Sequence, residues 1–220
     1  MAHETSPVAA LATLNRTGVT LGNTRVLSDI TFSVAPGEVV GVVGANGSGK
    51  TTLLRLIASL IAPDRGDGTV LGARLGTSEV FTIRRRIGLI SHIPTTIPEL
   101  TLEENLLHAV RLAGHETAKV ADSLRAVGLE GSSDRKASDS SFGMKRRTEV
   151  ARLLITKPSI LLLDEAISGL DSDAHALIDA LVDRTVGSGG AVIVVSHDPL
   201  QMEKASTVFG LAVGALTEMT

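Results

Sequence analysis

Eight consecutive residues, Gly44-Ala45-Asn46-Gly47-Ser48-Gly49-Lys50-Thr51, match the pattern G-x-x-x-x-G-K-[ST] at every fixed position. The chemistry these types support is the holding of a phosphate chain. Glycines let backbone N–H groups converge on phosphate oxygens with no Cβ in the way. Lys50 brings a compact positive charge to the outer phosphates, and the Thr51 hydroxyl, followed by Thr52, offers oxygen to Mg2+. The pattern has meaning only between a strand and a helix. Val39-Val40-Gly41-Val42-Val43 reads as a buried strand before it. Thr52 to Leu60 reads as a helix after it, with its positive N-terminal end facing the loop.

Two further strand ends carry polar chemistry. Ile160-Leu161-Leu162-Leu163 runs into Asp164 and Glu165. Asp164 is placed to hold Mg2+, through water, and Glu165 to polarise an attacking water as general base. A strand ending in solvated acids is common, so this reading leans on the phosphate loop upstream. Val192-Ile193-Val194-Val195 runs into Ser196-His197-Asp198, where His197 can donate to a terminal phosphate oxygen or to the attacking water. In a parallel sheet all these ends share one edge.

Stepping outward, the region up to about Leu75 is β-rich. Ala12 to Asn15 and Ile30 to Val34 alternate as half-buried strands do, and Ala35-Pro36-Gly37-Glu38 is a turn. Pro63, Gly66 and Gly68 are expected to close the helix that follows the loop. The middle, roughly 95–139, is helical: Thr101 to Glu104 fits a capping box, Leu102, Leu106 and Val110 share a face, and Gly114 stops the helix. A second helix spans about Glu116 to Val127, with Gly128 as its C-cap. Helices at about Lys145 to Ile155 and Ser172 to Val186 then alternate with strands Ser159 to Leu163 and Ala191 to Val195.

Composition narrows the partners. Of 220 residues, 43% are hydrophobic, enough to bury a core, and the net charge of -3 gives no reason to expect nucleic acid. Cysteine is absent, which excludes disulfides and thiol metal sites. Apolar runs such as Ile160 to Leu163 are far too short to cross a bilayer, and Met1 to Pro7 lacks the basic start and apolar core of a signal segment. A role at a membrane would therefore need a spanning partner.

Order and spacing together give a specific likeness. The chain resembles the nucleotide-binding subunits of ABC transporters from about Leu14 to Leu216. Asp164-Glu165-Ala166-Ile167-Ser168-Gly169-Leu170-Asp171 is similar to that family's acidic motif and dimer-contacting loop, with Ala166 where Pro is usual. Ser140-Ser141-Phe142-Gly143-Met144-Lys145-Arg146-Arg147 stands where its signature belongs. The resemblance implies an α/β fold: a P-loop NTPase core with an antiparallel β subdomain and an inserted α-helical subdomain at about 95–140, one ABC ATPase domain over 1–220. It also implies ATP and Mg2+ as cofactors, and a second ATPase subunit, identical or not, meeting the first head to tail. Ser141 and Gly143 would then donate to the γ-phosphate held by the opposite subunit. An integral-membrane subunit would anchor the assembly at the cytoplasmic face of the cell membrane.

Three departures from the family pattern stand out. Leu21 occupies the place of the adenine-stacking aromatic. The signature, usually Leu-Ser-Gly-Gly-Gln, has Ser140, Phe142 and Met144 at three of its five positions. His92 replaces the glutamine that links γ-phosphate and Mg2+ to the helical subdomain. Within the family, Ser91-His92 followed by Glu99-Leu100-Thr101-Leu102-Glu103-Glu104-Asn105-Leu106 resembles the ATPases of cytochrome c biogenesis haem exporters. The signature is also similar to that of ABC-2 type exporters. The alternatives are a soluble ABC ATPase of cofactor or iron–sulfur assembly, and a poorly hydrolysing subunit that uses ATP only to dimerise.

Overall fold

The computed structural model describes residues 9–166, 171–196 and 202–219. Strands β1 (Ala12–Leu21) and β2 (Thr24–Val34) pair antiparallel. Alternation along them buries Leu14, Val19, Leu27, Ile30, Phe32 and Val34 on one face. The turn at Ala35 to Glu38 leads into β3 (Val39–Val43), and α1 (Lys50–Ile57) follows. The chain then returns through β4 (Arg65–Val70) and β5 (Ala73–Arg74), giving a four-stranded sheet in the order β2-β1-β4-β5.

Gly66 and Gly68 therefore do not close the helix; both lie inside β4. Their role is close packing against β1. A Cβ on Gly66 would strike the Asn15 and Arg16 carbonyls, and one on Gly68 would sit 2.7 Å from the Thr13 carbonyl oxygen.

A short α2 (Val80–Ile83) leads to β6 (Ile87–Ile90). Then come α3 (Leu102–Leu112), α4 (Val120–Ala126) and α5 (Phe142–Thr156). The final stretch is β7 (Ile160–Asp164), α6 (Ser172–Gly187), β8 (Ala191–Val195), β9 (Thr207–Ala212) and β10 (Ala215–Met219). The second sheet has the order β10-β9-β3-β8-β7-β6 among the described residues. Its strands from β9 to β6 are parallel, and β10 closes the edge antiparallel. The expected α/β class, with an antiparallel β unit beside a parallel core and helices between β6 and β7, is the class observed.

The central parallel strands β7 and β8 are buried on both faces, as a sheet covered on both sides requires. Along β7 and β8, Ile160, Leu162, Ala191, Ile193 and Val195 face a core shared with α1 and the antiparallel sheet. Leu161, Leu163, Val192 and Val194 face a second core with α3 to α6. Two-residue alternation thus feeds two apolar clusters from one sheet.

Capping explains where the helices begin. Thr101 Oγ1 accepts from the Glu104 N–H at 3.1 Å, while Glu104 Oε2 accepts from the Thr101 N–H at 2.8 Å, the reciprocal capping box read from the sequence. Helix α5 starts at Phe142, ahead of the expected Lys145, because the Ser141 hydroxyl accepts from the Met144 N–H at 3.2 Å and caps it there. Replacing Thr101 by Ala removes one half of the box and should destabilise the fold by about 1 kcal/mol, read as a lower midpoint in urea unfolding.

Candidate functional site

The phosphate loop spans from β3 to α1 at the carboxyl edge of the parallel sheet. Gly49 has φ +109°, a region closed to residues with a side chain, and its place for a Cβ lies 3.0 Å from Leu27 Cδ2. Gly44 is equally constrained, because a Cβ there would overlap the Leu211 carbonyl of β9. Lys50 folds back over the loop: its Nζ donates to the Gly44 and Ala45 carbonyls at 2.8 and 3.0 Å. Ser48 Oγ is buried with no hydrogen-bond partner among the described residues. A loop of converging donors with one unmet hydroxyl is chemistry suited to an anion.

Beside the loop, Thr51 Oγ1 donates to Asp164 Oδ2 at 2.9 Å. Since 113 residues separate the two, only the β3–β8–β7 register can bring them together. The pair forms an oxygen corner of the kind Mg2+ uses with phosphate oxygens completing its shell. Among the described residues, no group of three or more His, Cys, Asp or Glu side chains is placed to hold a metal ion by itself. A cation here would therefore depend on a phosphate ligand, as the donor set suggests.

Glu165 is the first residue past β7. Its backbone has φ +48°, uncommon for a residue with a side chain, and its N–H donates to the Val195 carbonyl at 2.9 Å. That turn sends the carboxylate into the same cleft as Lys50, Thr51 and Asp164, which encloses about 370 Å³. His92 lines the cleft too. Its Nδ1 lies 3.7 Å from Glu165 Oε2, beyond hydrogen-bond reach, and its side chain is more than half exposed.

The expected site residues thus fall into three groups. Asn46, Gly47, Gly49, Lys50, Thr51 and Thr52 line the cleft with His92, Asp164 and Glu165, while Gly44, Ala45 and Ser48 form the loop's supporting turn. Ser141 and Gly143 do not line it; they sit at the start of α5. His197, Ser168 and Gly169 lie outside the described residues. Leu21, at the end of β1, is half exposed and does not line the cleft either. Val26 does line it, a residue the sequence reading missed. An apolar strand residue carries no chemical signal, and only the approach of β2 to the loop reveals it.

A polar network behind the site was also missed. Arg146 and Glu149, both on α5 and both buried, pair at 2.6 Å between Nη1 and Oε2. Arg146 Nη2 donates to the His92 carbonyl at 2.9 Å. Glu149 Oε1 accepts from the Thr95 N–H and hydroxyl at 3.0 and 3.2 Å. Burial lowers the Arg146 pKa, and the Glu149 charge and hydrogen bond pull it back up; guanidinium basicity leaves it charged all the same. Breaking one member of such a pair costs about 3–5 kcal/mol, whereas replacing both by apolar side chains is often neutral. The Phe142 ring, in the signature's first glycine position, lies over this guanidinium with Cζ 5.3 Å from its centroid.

Comparison with known proteins adds to this geometry. The family model described as ABC transporter matches residues 27–168. The chain is 37% identical over 182 residues to the Nod factor export ATP-binding protein I of Rhizobium etli, covering 81% of the chain and 57% of that relative. It is 37% identical over 203 residues to the cytochrome c biogenesis ATP-binding export protein CcmA of Nitrosomonas europaea, covering 90% and 92%. The chain thus spans little more than half the length of the Nod factor relatives. Among solved structures, an ATP-binding subunit of an ABC transporter superposes with a TM-score of 0.86 at 28% identity, over 96% of this chain and 90% of that one. A dimeric ATP-binding cassette in a post-hydrolysis state with ADP and phosphate gives 0.84 at 26% identity, over 95% and 98%. Among the described residues, no helix is long and apolar enough to cross a membrane.

The N-cap of α6 makes a testable electrostatic prediction. Asp171 accepts from the Ala174 N–H at 2.8 Å and from Arg147 Nη2 at 3.2 Å. The Ala174 bond, with help from Arg147, holds its carboxyl below the ordinary 3.8. A depressed carboxyl pKa stabilises the fold above the unfolded-state value and loses that effect as pH falls through the folded one. The wild type should therefore unfold at higher urea than Asp171→Asn near neutral pH, and the gap should close below pH 3.8.

Proposed function

The chain belongs to the ABC transporter family, and on that premise we propose that it is the ATP-binding and hydrolysing subunit of a bacterial exporter. One observation carries the reading: the phosphate loop, the Thr51–Asp164 contact and the turned-in Glu165 share a single cleft. We read residues 1–220 as one ABC ATPase domain, with the helices of about 95–140 as its inserted subdomain.

In this reading the loop N–H groups and Lys50 orient the triphosphate. Thr51 and Asp164, with His92 within reach, would hold Mg2+, which when bound neutralises charge on the phosphates. Glu165 holds the attacking water and takes its proton. His197, which follows β8 in the sequence, would donate to the terminal phosphate. Ser141 and the Gly143 N–H, at the positive end of α5, serve the nucleotide of a second subunit docked head to tail. ATP then acts by favouring the closed pair, and its hydrolysis reopens it. The protein would sit peripherally at the cytoplasmic face of the membrane, on an integral-membrane partner, and needs no nucleic acid.

Likeness to CcmA of Nitrosomonas europaea at 37% identity over 203 residues, with the Ser91-His92 and Glu99 to Leu106 segments, supports a haem-exporter-like assignment. The test is purification of the chain from detergent-solubilised membranes, with ATPase measured on what accompanies it. The expected outcome is a multi-span subunit and stimulated turnover. Lys50→Ala should abolish nucleotide binding, and Glu165→Gln should retain binding while stopping hydrolysis. A soluble partner, or full activity in Glu165→Gln, would overturn the assignment.

The base should be weakly read, because Leu21 and Val26 offer no ring to stack on adenine, an interaction worth about 1–3 kcal/mol where present. ATP, GTP and CTP should bind with dissociation constants within about tenfold of each other in competition assays. A strong preference for ATP would refute this.

A further inference from the structure

We propose that the Arg146–Glu149 pair is a positioning latch: it couples the loop after β6 to the N-terminus of α5, so that events at His92 are transmitted to Ser141–Gly143. The inference rests on the nucleotide reading above and adds to it the element that connects the two ends of the machinery.

The geometry points to coupling more than to support. The loop is gripped at two points, the His92 carbonyl and the Thr95 N–H and hydroxyl. The helix grips back from two residues almost one turn apart, and their own bond at 2.6 Å closes the figure. Loop and helix lie 54 residues apart in sequence, so no local structure imposes the contact. A guanidinium is flat and its donors diverge at fixed angles, so binding a carbonyl with one arm and a carboxylate with the other sets direction as well as distance. An apolar pair of equal volume would fill the space and leave the helix free to shift. As a source of stability alone, a fully buried ion pair with Arg146 Nε unpartnered among the described residues is a poor choice.

The same guanidinium carries the Phe142 ring on its face, so the latch also fixes the bulky residue in the signature's first glycine position. At the other end, His92 stands in the cleft across from Glu165. A displacement of His92 by a bound nucleotide would pull its carbonyl, and with it Arg146 and the first turn of α5. Arg146 and Glu149 touch no nucleotide in this arrangement; they act through His92 and Ser141 as positioning residues.

The test is hydrogen exchange on the full chain, with and without ADP and Mg2+, in the wild type and in Arg146→Met combined with Glu149→Leu. In the wild type, nucleotide should protect residues 44–51 and also change exchange at residues 141–145. In the double variant the melting temperature and the protection at 44–51 should persist while the response at 141–145 disappears. Its kcat for ATP should fall by about 10²-fold, the scale of a small misplacement at a reacting group, with nucleotide affinity unchanged. Should the double variant not fold, Arg146→Lys keeps the buried charge but cannot fork to both acceptors, and the same loss at 141–145 is expected. A response at 141–145 that survives in the variant, or is missing in the wild type while 44–51 is protected, overturns the latch. Absence of protection at 44–51 in the wild type would instead remove the nucleotide reading and the latch with it.

Discussion

A short parallel strand, buried from Val39 to Val42, sets the position of the phosphate loop and the groups gathered beside it. Strand β3 lies between β8 and β9, and its apolar residues face two cores. Each Val taken wholly out of water contributes about 1.5–3 kcal/mol, so β3 is anchored strongly for five residues. The loop that follows it can then hold φ values and carbonyl contacts that no isolated glycine-rich segment would keep. The ordering entropy of the loop is offset by the hydrophobic burial of the strand behind it.

From that anchor the other groups follow by register. Since β3, β8, β7 and β6 are parallel, their carboxyl ends come out together, each delivering one kind of chemistry. β3 delivers the phosphate loop, β7 delivers Asp164 and Glu165, and β6 delivers His92. Helix caps then set the second tier. Ser141 starts α5 and Asp171 starts α6, while Arg147 reaches from α5 to the Asp171 carboxylate and to the Val127 carbonyl. Parts far from the cleft are thereby joined to it through fixed polar contacts.

What could be read from the chain alone was whatever leaves a local signature. The continuous apolar runs of β3, β7 and β8, the capping box at Thr101 and the phosphate loop all declare themselves within a few residues. Gly66 and Gly68 misled because glycine reads as a breaker, whereas here it admits the β1 backbone at close range. The C-terminal hairpin leaves little local signal, because Val213 takes a left-handed turn position, φ +50°, more often given to Asn, Asp or Gly. Val26 and the Arg146–Glu149–Thr95 network were out of reach for a different reason. Their meaning lies in contacts between segments distant in sequence, and the residues flanking each one look like ordinary strand or helix.

The register of β3 also dictates an order of events in the life of the chain. Its neighbour β9 is made late: the Ser206 hydroxyl bonds the Val39 carbonyl across 167 residues, and the Leu211 carbonyl backs Gly44. A ribosome releasing this protein from its N-terminus has therefore produced the phosphate loop long before the strands that brace it exist. Until β8 and β9 emerge, the loop and its apolar strand wait without their lattice. Nucleotide capture can then begin only once β8 and β9 have left the ribosome, which ties the first moment of binding to strands made long after the loop itself.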